Sequence, residues 1–271
     1  MRYGFCYLGV VPVRKEANSS SEQVTQLLFS DTVSIIDEYK GGNEFTDSWF
    51  KIRNIYDDYE GWVDKRNILL FNFEQLPDTV NEEVIYIKLS VFHKYIISSP
   101  IAKIKMDGDI ITIPIGAVLP DKVFSVSNRN FSLVEGSVIP MDKCNPLLLK
   151  AVSLLYLNTP YQWGGKSIFG MDCSGFTQIV FRFAGIKLKR DASQQATQGS
   201  NVSFEQIKSG DLCFFDNQQG NIIHVGIYLG ENQIIHCSGK VRIDYIDNNG
   251  IKPEKENNLY SHHLCRIRRL F

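Results

Sequence analysis

The sequence predicts an α+β domain at the carboxyl-terminal end of the chain, preceded by one or two small β-barrels. The 271 residues of the chain exceed the ~100–150 residues of a typical single domain. Residues 1–70 hold short β-rich segments between polar turns, whereas residues 144–271 begin with helical patterns and continue with strands. Helices that precede strands favour an α+β domain. We therefore expect three domains, at residues 1–70, 71–143 and 144–271.

The first 70 residues are predicted to form a small barrel. Five segments rich in β-branched and aromatic residues are separated by Asn, Ser, Asp and Gly, which is typical of short strands joined by turns. They are residues 10–13, 23–28, 33–36, 49–52 and 61–63. Several short strands at close spacing favour a small barrel. The segment around Trp49 and Phe50, followed by Glu60-Gly61-Trp62-Val63, resembles a bacterial SH3-like domain.

Residues 71–143 repeat this pattern more faintly. Two β-rich segments occur at residues 110–119 and 131–138, and Glu60-Gly61 recurs as Glu135-Gly136, in each case with Val two residues after the glycine. The echo indicates a second SH3-like barrel. The alternative is a single larger β-domain that spans both regions.

The third region starts with helical signals. Asn145-Pro146 is a good helix start, and the apolar run that follows ends before Thr159-Pro160. A second helix begins at Cys173, where apolar residues recur at helical spacing until Gly185. Ser193 is predicted to cap a short third helix that ends near Gly199. Strands then follow at residues 211–215, in two histidine-containing segments, and at residues 241–245.

Cys173 is the candidate nucleophile. It is predicted to lie in the first turn of a buried helix, where free backbone N–H groups and the helix dipole lower the pKa of a thiol. The same N–H groups can receive an oxyanion. The alternative is an inert core cysteine, because free cysteines are usually buried. A catalytic thiol needs a histidine within reach and a third group that orients the histidine.

His224 and His236 are the histidines that fit this requirement. Residues 224–237 read as two short strands around a Gly-Glu-Asn turn, which predicts a β-hairpin. Side chains alternate between the faces of a strand. A loop centred on Gly230 places the two histidines directly opposite each other, and one centred on Glu231 makes them diagonal neighbours on the same face.

Three segments together are similar to the NlpC-type bacterial cell-wall cysteine peptidases. They are Asp172-Cys173-Ser174-Gly175, His224-Val225-Gly226-Ile227-Tyr228 and Ile234-Ile235-His236, which occur in the order and spacing of that family. The resemblance implies a papain-like fold with a Cys-His-His triad. In that triad Cys173 is the nucleophile, His224 the general base and His236 the residue that orients His224.

The resemblance also implies a substrate. Relatives with SH3-like domains cleave peptidoglycan peptides between γ-linked D-glutamate and diaminopimelate or lysine, and some bind the free amine of L-Ala. We expect a turnover peptide such as L-Ala-γ-D-Glu-diaminopimelate, and therefore a role in recycling. The residues carried over to substrate binding are Glu60, Tyr161, Trp163, Asp172, Ser174 and Ser193, with Tyr95 as a weaker candidate. Asp172 needs a positive partner, which is either the substrate ammonium or a structural Arg or Lys.

Composition argues against several other kinds of partner. The formal net charge of −1 gives no basic surface for nucleic acid or an anionic membrane, and no apolar run is long enough to span a bilayer. The six cysteines lack the paired spacing of a disulfide framework. The amino terminus shows no signal peptide, which favours the cytoplasm, or the periplasm if an export signal has been removed. A monomer is the default expectation.

Two other classes of function stay open at this point. The chain is a peptide-binding protein if the catalytic domain is inactive, and a peptide hydrolysis assay separates the two. A zinc site formed by Cys173, His224, His236 and Cys237 is the second alternative, since Cys and His ligate zinc. Strand alternation places Cys237 on the opposite face from His236, so we expect a cysteine peptidase that needs no cofactor.

Overall fold

The computed structural model describes residues 2–41, 48–71, 92–253 and 259–271. The chain folds into two compact units, Met1–Lys143 and Cys144–Phe271. Within the described residues, the first unit is built from strands and short 3-10 turns, and the α-helices lie in the second unit. No helix among the described residues is long and apolar enough to cross a membrane.

The first unit begins with seven antiparallel strands that surround one core. In sheet order they run β3-β2-β6-β5-β4-β1-β7. Each strand contributes a residue to a single buried cluster that includes Cys6, Val11, Leu27, Phe50 and Ile68, so the sheet curls as in a small barrel. The strands are β1 Arg2–Cys6, β2 Val10–Arg14, β3 Gln23–Leu28, β4 Thr32–Lys40, β5 Ser48–Asn54, β6 Glu60–Asp64 and β7 Ile68–Leu70.

The five predicted strands of this region all lie within observed strands, and two further strands, β1 and β7, were not predicted. Strand β1 has no polar alternation to reveal it, because Tyr3 to Cys6 are all buried. The strand lies between β4 and β7, and the ring of Phe5 packs on Phe29 and Phe131 at 5.6 and 5.7 Å. A strand buried on both faces reads as a short apolar run rather than as an alternating pattern.

The rest of the first unit forms two small antiparallel sheets, ordered β10-β9-β13-β12 and β11-β8-β14. Their strands are β8 Tyr95–Ile97, β9 Ile101–Met106, β10 Asp109–Pro114, β11 Val118–Leu119, β12 Val123–Val126, β13 Arg129–Glu135 and β14 Val138–Pro140. The rings of Phe124 and Phe131 stack 5.0 Å apart. They contact Phe5 of β1 and Phe29, which directly follows β3. Residues 72–91 of the predicted second domain lie outside the described residues.

The second unit contains a closed barrel of six strands. The sheet order is β17-β23-β18-β19-β20-β21-β22, and β22 also pairs with β23, so that β23 closes the ring and β17 is added beside it. The strands of this sheet are β17 Ser200–Asn201, β18 Leu212–Asp216, β19 Ile222–Gly230, β20 Gln233–Ser238, β21 Lys240–Asp247, β22 Gly250–Lys252 and β23 His262–Arg269. A separate two-stranded sheet is formed by β15 Lys166–Ser167 and β16 Gly170–Met171.

Three short helices precede the barrel strands, in the predicted order: α1 Leu148–Leu155, α2 Cys173–Arg182 and α3 Ala192–Gln195. They contain 8, 10 and 4 residues, so this unit carries less helix than the predicted papain-like α+β fold implies. Helix α1 starts later than predicted because Asn145 is used in a turn. Its side-chain oxygen accepts the Leu147 N–H and its carbonyl accepts the Leu148 N–H.

Helix α2 ends as predicted. Gly185 adopts a positive φ of 72°, and the N–H of Ile186 donates to the carbonyl of Phe181, which closes the helix with a glycine in the left-handed region. The prediction that Ser193 caps α3 is wrong. Asp191 is the N-cap and forms a capping box with Gln194, whose Oε1 accepts the Asp191 N–H at 3.1 Å.

Candidate active site

Asp172 holds the start of α2 against the glycine-rich loop. As N-cap residue, its Oδ1 accepts the Gly175 N–H at 2.6 Å, and its Oδ2 accepts the Gly164 N–H at 2.9 Å. The loop and helix approach so closely that a Cβ on Gly175 would lie 2.2 Å from the carbonyl oxygen of Gly165. Only glycine fits at that position, which accounts for the Asp-Cys-Ser-Gly sequence at the helix start.

Arg190 supplies the positive charge that Asp172 requires. Its guanidinium donates from Nη1 to Oδ1 of Asp172 at 3.0 Å and from Nη2 to Oδ2 at 2.5 Å. The two side chains are 1% and 8% exposed, so this is a buried, bidentate ion pair. The structural partner that the sequence left open is therefore present. With the N–H groups of Gly164 and Gly175 added, both oxygens of Asp172 are already occupied.

Cys173 is the first residue of α2 and lies beside strand β19. The residue is 8% exposed, and the backbone N–H groups of Val225 and Ser174 are within hydrogen-bonding reach of its sulfur. Because Val225 directly follows His224, this contact brings the thiol to the histidine end of the strand. The two N–H groups are also suited to bind a developing negative charge.

The prediction that the helix start lowers the pKa of Cys173 is wrong. Burial raises the pKa of the thiol to about 12, and the negative charge of Asp172 adds to the increase. The N–H groups of Val225 and Ser174 and the charge of Arg190 act in the opposite direction, but they do not outweigh burial. The thiol is thus neutral at rest, and a base has to take its proton if the sulfur is to act as a nucleophile.

His224 and His236 form a buried, hydrogen-bonded pair. Gly226 is the residue opposite His236, so the two histidines are diagonal neighbours on one face, which is the register that a turn centred on Glu231 predicts. Nε2 of His224 lies 2.8 Å from Nδ1 of His236, and the ring planes are 83° apart. Burial, followed by the neighbouring His236 and His262, holds the pKa of His224 well below its ordinary value.

The chain of hydrogen bonds continues to two residues that the sequence analysis missed. Nε2 of His236 lies 2.9 Å from Oδ2 of Asp244, and Nη2 of Arg242 donates to Oδ1 of Asp244 at 2.7 Å. Burial opposes ionisation of Asp244, but the hydrogen bonds from His236 and Arg242 outweigh it and hold its pKa below the usual value. Strand alternation could have indicated both residues. Strands β20 and β21 pair His236 with Arg242, so Arg242 and Asp244, two residues apart, lie on the same face as His236.

His262 is a third histidine in this cluster and was also missed. Its ring stacks on that of His224 at 4.3 Å with an angle of 28°, and Phe215 contacts both rings at 5.8 and 5.9 Å. Burial, with a smaller contribution from His236, lowers the pKa of His262 to about 4. It comes from β23, a strand that the sequence analysis did not predict.

The aromatic candidates lie on the loop before α2. Trp163 is 60% exposed and Tyr161 is partly exposed. Burial raises the pKa of Tyr161 to about 12, and the charges of Cys173 and Asp172 contribute next. The backbone of Tyr161 pairs with that of Met171, two residues before Cys173. The role of Tyr161 and Trp163 in substrate binding stays a prediction.

The two predicted serines differ in their surroundings. Ser174 is buried, and its Oγ donates to Oδ1 of Asp172 at 3.2 Å and accepts from Nη1 of Arg190 at 2.9 Å. Its only proton is therefore engaged, and toward a ligand the hydroxyl could act as an acceptor. Ser193 is exposed on α3.

Two of the predicted binding residues, Glu60 and Tyr95, belong to the first unit. Glu60 begins β6 and is exposed, and its carboxylate lies 2.7 Å from Nη2 of Arg53 and 3.9 Å from Nζ of Lys51. Tyr95 begins β8, with Nζ of Lys122 5.6 Å from the centre of its ring. The assignment of Glu60 and Tyr95 to substrate binding stays a prediction.

The zinc alternative finds no support in the geometry. In the part of the chain that the structure describes, no three His, Cys, Asp or Glu side chains are arranged to hold a metal ion. Sγ of Cys237 donates to the Met171 carbonyl at 3.1 Å, and both ring nitrogens of His236 are engaged by His224 and Asp244. What the arrangement offers is a thiol, a buried neutral imidazole and N–H groups for an oxyanion.

Comparison with protein families identifies two segments. Residues 158–258 match the NlpC/P60 family, and residues 9–68 match the bacterial SH3 domain. The first segment contains Cys173, His224, His236 and Asp244. The second coincides with strands β2 to β6 and the start of β7, where the SH3-like barrel was predicted.

Two curated relatives illustrate the likeness. A protein of Bacillus cereus named gamma-D-glutamyl-L-lysine dipeptidyl-peptidase is 30% identical over 233 residues, which are 78% of this chain and 66% of that protein. A protein of the same name from Bacillus subtilis is 40% identical over 120 residues, which are 43% of this chain and 38% of that protein. The chain thus spans less than two thirds of the length of these relatives.

Solved structures share the fold. A crystal structure of an NlpC/P60 family protein from Bacillus cereus superposes with a TM-score of 0.73 at 20% identity, covering 98% of this chain and 99% of the other. An NlpC/P60 endopeptidase of Photobacterium damselae has a TM-score of 0.64 at 17% identity, covering 90% of this chain and 66% of the other. At these identities the likeness concerns the fold alone.

Proposed function

The chain combines an NlpC/P60 domain with a bacterial SH3 domain, and from this we propose that it is a cysteine endopeptidase that hydrolyses peptidoglycan peptides. The observation that carries the proposal is the placement of Cys173 at the start of α2, next to a strand whose His224 is hydrogen-bonded to His236. A nucleophile, a base and a group that orients the base are the components of acyl transfer by a thiol.

The proposed reaction is acyl transfer through the sulfur of Cys173. Nε2 of His224 is engaged by His236, so Nδ1 is the nitrogen that takes the thiol proton as sulfur attacks the amide carbon. The N–H groups of Val225 and Ser174 then stabilise the oxyanion. Protonated His224 returns the proton to the leaving amine, and water, activated by the same nitrogen, releases the acyl group from sulfur. The Cys-His-His assignment is part of this proposal.

The proposed scissile bond joins γ-D-glutamate to diaminopimelate or lysine. The two Bacillus relatives are named for a γ-D-glutamyl-L-lysine bond and as dipeptidyl-peptidases. A dipeptidyl-peptidase removes two residues from a free amino end, so a substrate such as L-Ala-γ-D-Glu-diaminopimelate fits that specificity. A free L-Ala amine arises when the peptide has been detached from the glycan, and we therefore propose a role in peptide recycling.

The test is incubation with a defined set of muropeptides, followed by mass spectrometry of the products. We expect release of L-Ala-D-Glu and a peptide that begins with the diamino acid. Cys173→Ala should abolish the products and keep the fold, because a small residue suits the helix start. Cys265→Ala, at an exposed cysteine, is the matched control and should remain active. Products in the Cys173→Ala reaction, or none from the unmodified protein, contradict the proposal.

A further inference from the structure

We infer that Asp244 and Arg242 are positioning residues that decide which nitrogen of each buried histidine carries the proton, and so leave Nδ1 of His224 free to act as the base. This inference rests on the proposed peptidase function. It extends the proposed Cys-His-His set along the adjacent strand β21.

When His236 is neutral, the carboxylate of Asp244 fixes the direction of both hydrogen bonds between the three side chains. An ionised Asp244 accepts and cannot donate, so Nε2 of His236, at 2.9 Å, carries a proton. Neutral His236 then has a bare Nδ1, which must accept from Nε2 of His224 at 2.8 Å. His224 consequently keeps its lone pair on Nδ1. The base nitrogen is selected by a group that does not touch the thiol.

Arg242 keeps the carboxylate ionised and compensates its charge. Its Nη2 donates to Oδ1 of Asp244 at 2.7 Å, while Oδ2 faces His236. The side chain of Asp244 is 3% exposed, whereas that of Arg242 is 32% exposed. A partly exposed guanidinium thus compensates the charge of a buried carboxylate. With Asp244 already paired to a guanidinium, His236 does not need to become a second cation.

The rival arrangement has a doubly protonated His236 between His224 and Asp244. Nδ1 of His236 would then donate to Nε2 of His224, and the single proton of neutral His224 would sit on Nδ1. That proton would occupy the nitrogen that must receive the thiol proton, and the site would have no base. The two arrangements differ at Nδ1 of His236 and at both nitrogens of His224, where they can be observed.

Asp244→Asn separates a positioning role from a merely structural one. The asparagine has nearly the same shape, but one of its two oxygens is replaced by an NH₂ donor. In the unmodified protein, both oxygens of Asp244 face donors, one on Arg242 and one on His236. Because Arg242 is charged and cannot accept, the amide oxygen of the asparagine faces Arg242 and its NH₂ group faces His236. His236 must then accept on Nε2 and donate from Nδ1, which moves the proton of His224 to Nδ1.

The activity measurement compares Asp244→Asn with the double variant Asp244→Asn/Arg242→Met. We expect the single variant to lose about 10²–10⁴-fold in kcat, the range for a histidine held in the wrong tautomer or an altered supporting residue, with KM little changed. Removing the competing donor lets the asparagine oxygen turn back to His236. The double variant should therefore regain at least about tenfold in kcat over the single variant.

Nuclear magnetic resonance of ¹⁵N-labelled histidine reads the tautomers without substrate. In the unmodified full chain we expect His224 and His236 each to be protonated on Nε2 and bare on Nδ1, and in Asp244→Asn the reverse. Signals are assigned with His224→Gln and His236→Gln. Because this readout needs no turnover, a failed muropeptide assay would reject the proposed function and leave the tautomer assignment standing.

Asp247→Asn is the matched control. Asp247 lies on the same strand and accepts hydrogen bonds from the Asn249 N–H and the Tyr260 hydroxyl, not from a histidine. The kcat of Asp247→Asn should therefore stay within about twofold of the original, as for a surface change. A doubly protonated His236 in the unmodified protein overturns the inference, whether or not any variant folds. Equal kcat in the single and double variants, or unchanged tautomers in Asp244→Asn, overturns it as well.

Discussion

The stacked imidazoles of His224 and His262 determine how the proposed base responds to pH. Burial is the main reason why the pKa of His224 is lowered, followed by the neighbouring His236 and His262. His262 lies 4.3 Å from His224, and its own pKa of about 4 keeps it neutral near physiological pH. His262 therefore acts on His224 chiefly by excluding water from one face of the ring.

The pH dependence of hydrolysis tests this arrangement. A base works when it is deprotonated, so a lowered pKa of His224 keeps kcat/KM high below the usual pKa of a histidine, and activity falls only as the pH drops through the lowered value. His262→Ala exposes His224 and raises its pKa, which moves the acid limb of the profile to higher pH. His262→Phe retains an aromatic ring and should leave the limb close to that of the original protein.

Measurement of kcat/KM between pH 4.5 and 8, a range of about two units on either side of the usual histidine pKa, distinguishes the variants. The Ala variant should lose more activity at the acid end than at pH 8. An acid limb that is the same in all three proteins would show that His262 does not influence His224. Loss at every pH to the same degree would indicate damaged packing instead.

Some residues of the candidate site can be predicted from the sequence and others cannot. His224 and His236 are predictable because a hairpin fixes which side chains share a face, and the observed register agrees with one of the two that were considered. The same parity argument, applied to the next hairpin around Gly239, places Asp244 on the face of His236. His262 has no such signal, since the segment between β22 and β23, residues 253–261, is too long to fix a register as a short hairpin turn does.

At the scale of elements, the proposed nucleophile is held by an ion pair that joins a loop to a helix. Arg190 lies 18 positions after Asp172, so no local pattern relates the two side chains. Their contact fixes the glycine-rich loop, the start of α2 and the segment before α3 at one point. The wrong expectation for the pKa of Cys173 has the same origin, because a sequence shows that a residue starts a helix but not how deeply it is buried.

Arg190→Gln should destabilise the second unit. Removing one partner of a buried pair leaves an uncompensated charge, which costs about 3–5 kcal/mol of unfolding free energy. Because Asp172 also caps α2, we expect activity to fall with stability. The partly exposed pair of Lys252 with Asp247, at 3.2 Å, offers the control, and Lys252→Gln should change the unfolding free energy little. Urea denaturation followed by fluorescence measures both variants, and equal midpoints would contradict a stabilising role for the Arg190 pair.

Strand positions were easier to predict than the way in which the strands close. Alternating or β-branched segments identified five strands of the first sheet, whereas β1 is buried on both faces and β7 is short. The six-stranded barrel of the second unit depends on the pairing of β22 with β23. That pairing joins strands on either side of residues 254–258 and carries no sequence signal of its own.

At the scale of the whole molecule, each unit has its own hydrophobic core. One cluster runs from Cys6 to Ile68 in the first unit, and another from Cys213 to Ile267 in the second. The Bacillus cereus relative aligns over 78% of this chain, so the likeness extends beyond the segment that contains the nucleophile. Whether the first unit contributes to substrate specificity can therefore be tested by measuring kcat/KM with the full chain.

The free amine of the substrate provides that measurement. If Glu60 binds the L-Ala ammonium, as the family resemblance implies, N-acetylation removes the charge and leaves the carboxylate without this ligand. We expect the N-acetyl form of L-Ala-γ-D-Glu-diaminopimelate to be cleaved with a kcat/KM on the order of a hundredfold lower, as for loss of a strong charge pair. Glu60→Gln should lower kcat/KM for the free peptide and have little effect on the blocked one. Glu135→Gln, at an exposed ion pair with Lys103, should affect neither peptide. Equal rates for free and blocked peptide would mean that the amine is not recognised, and peptides still attached to the cell wall would then be substrates as well.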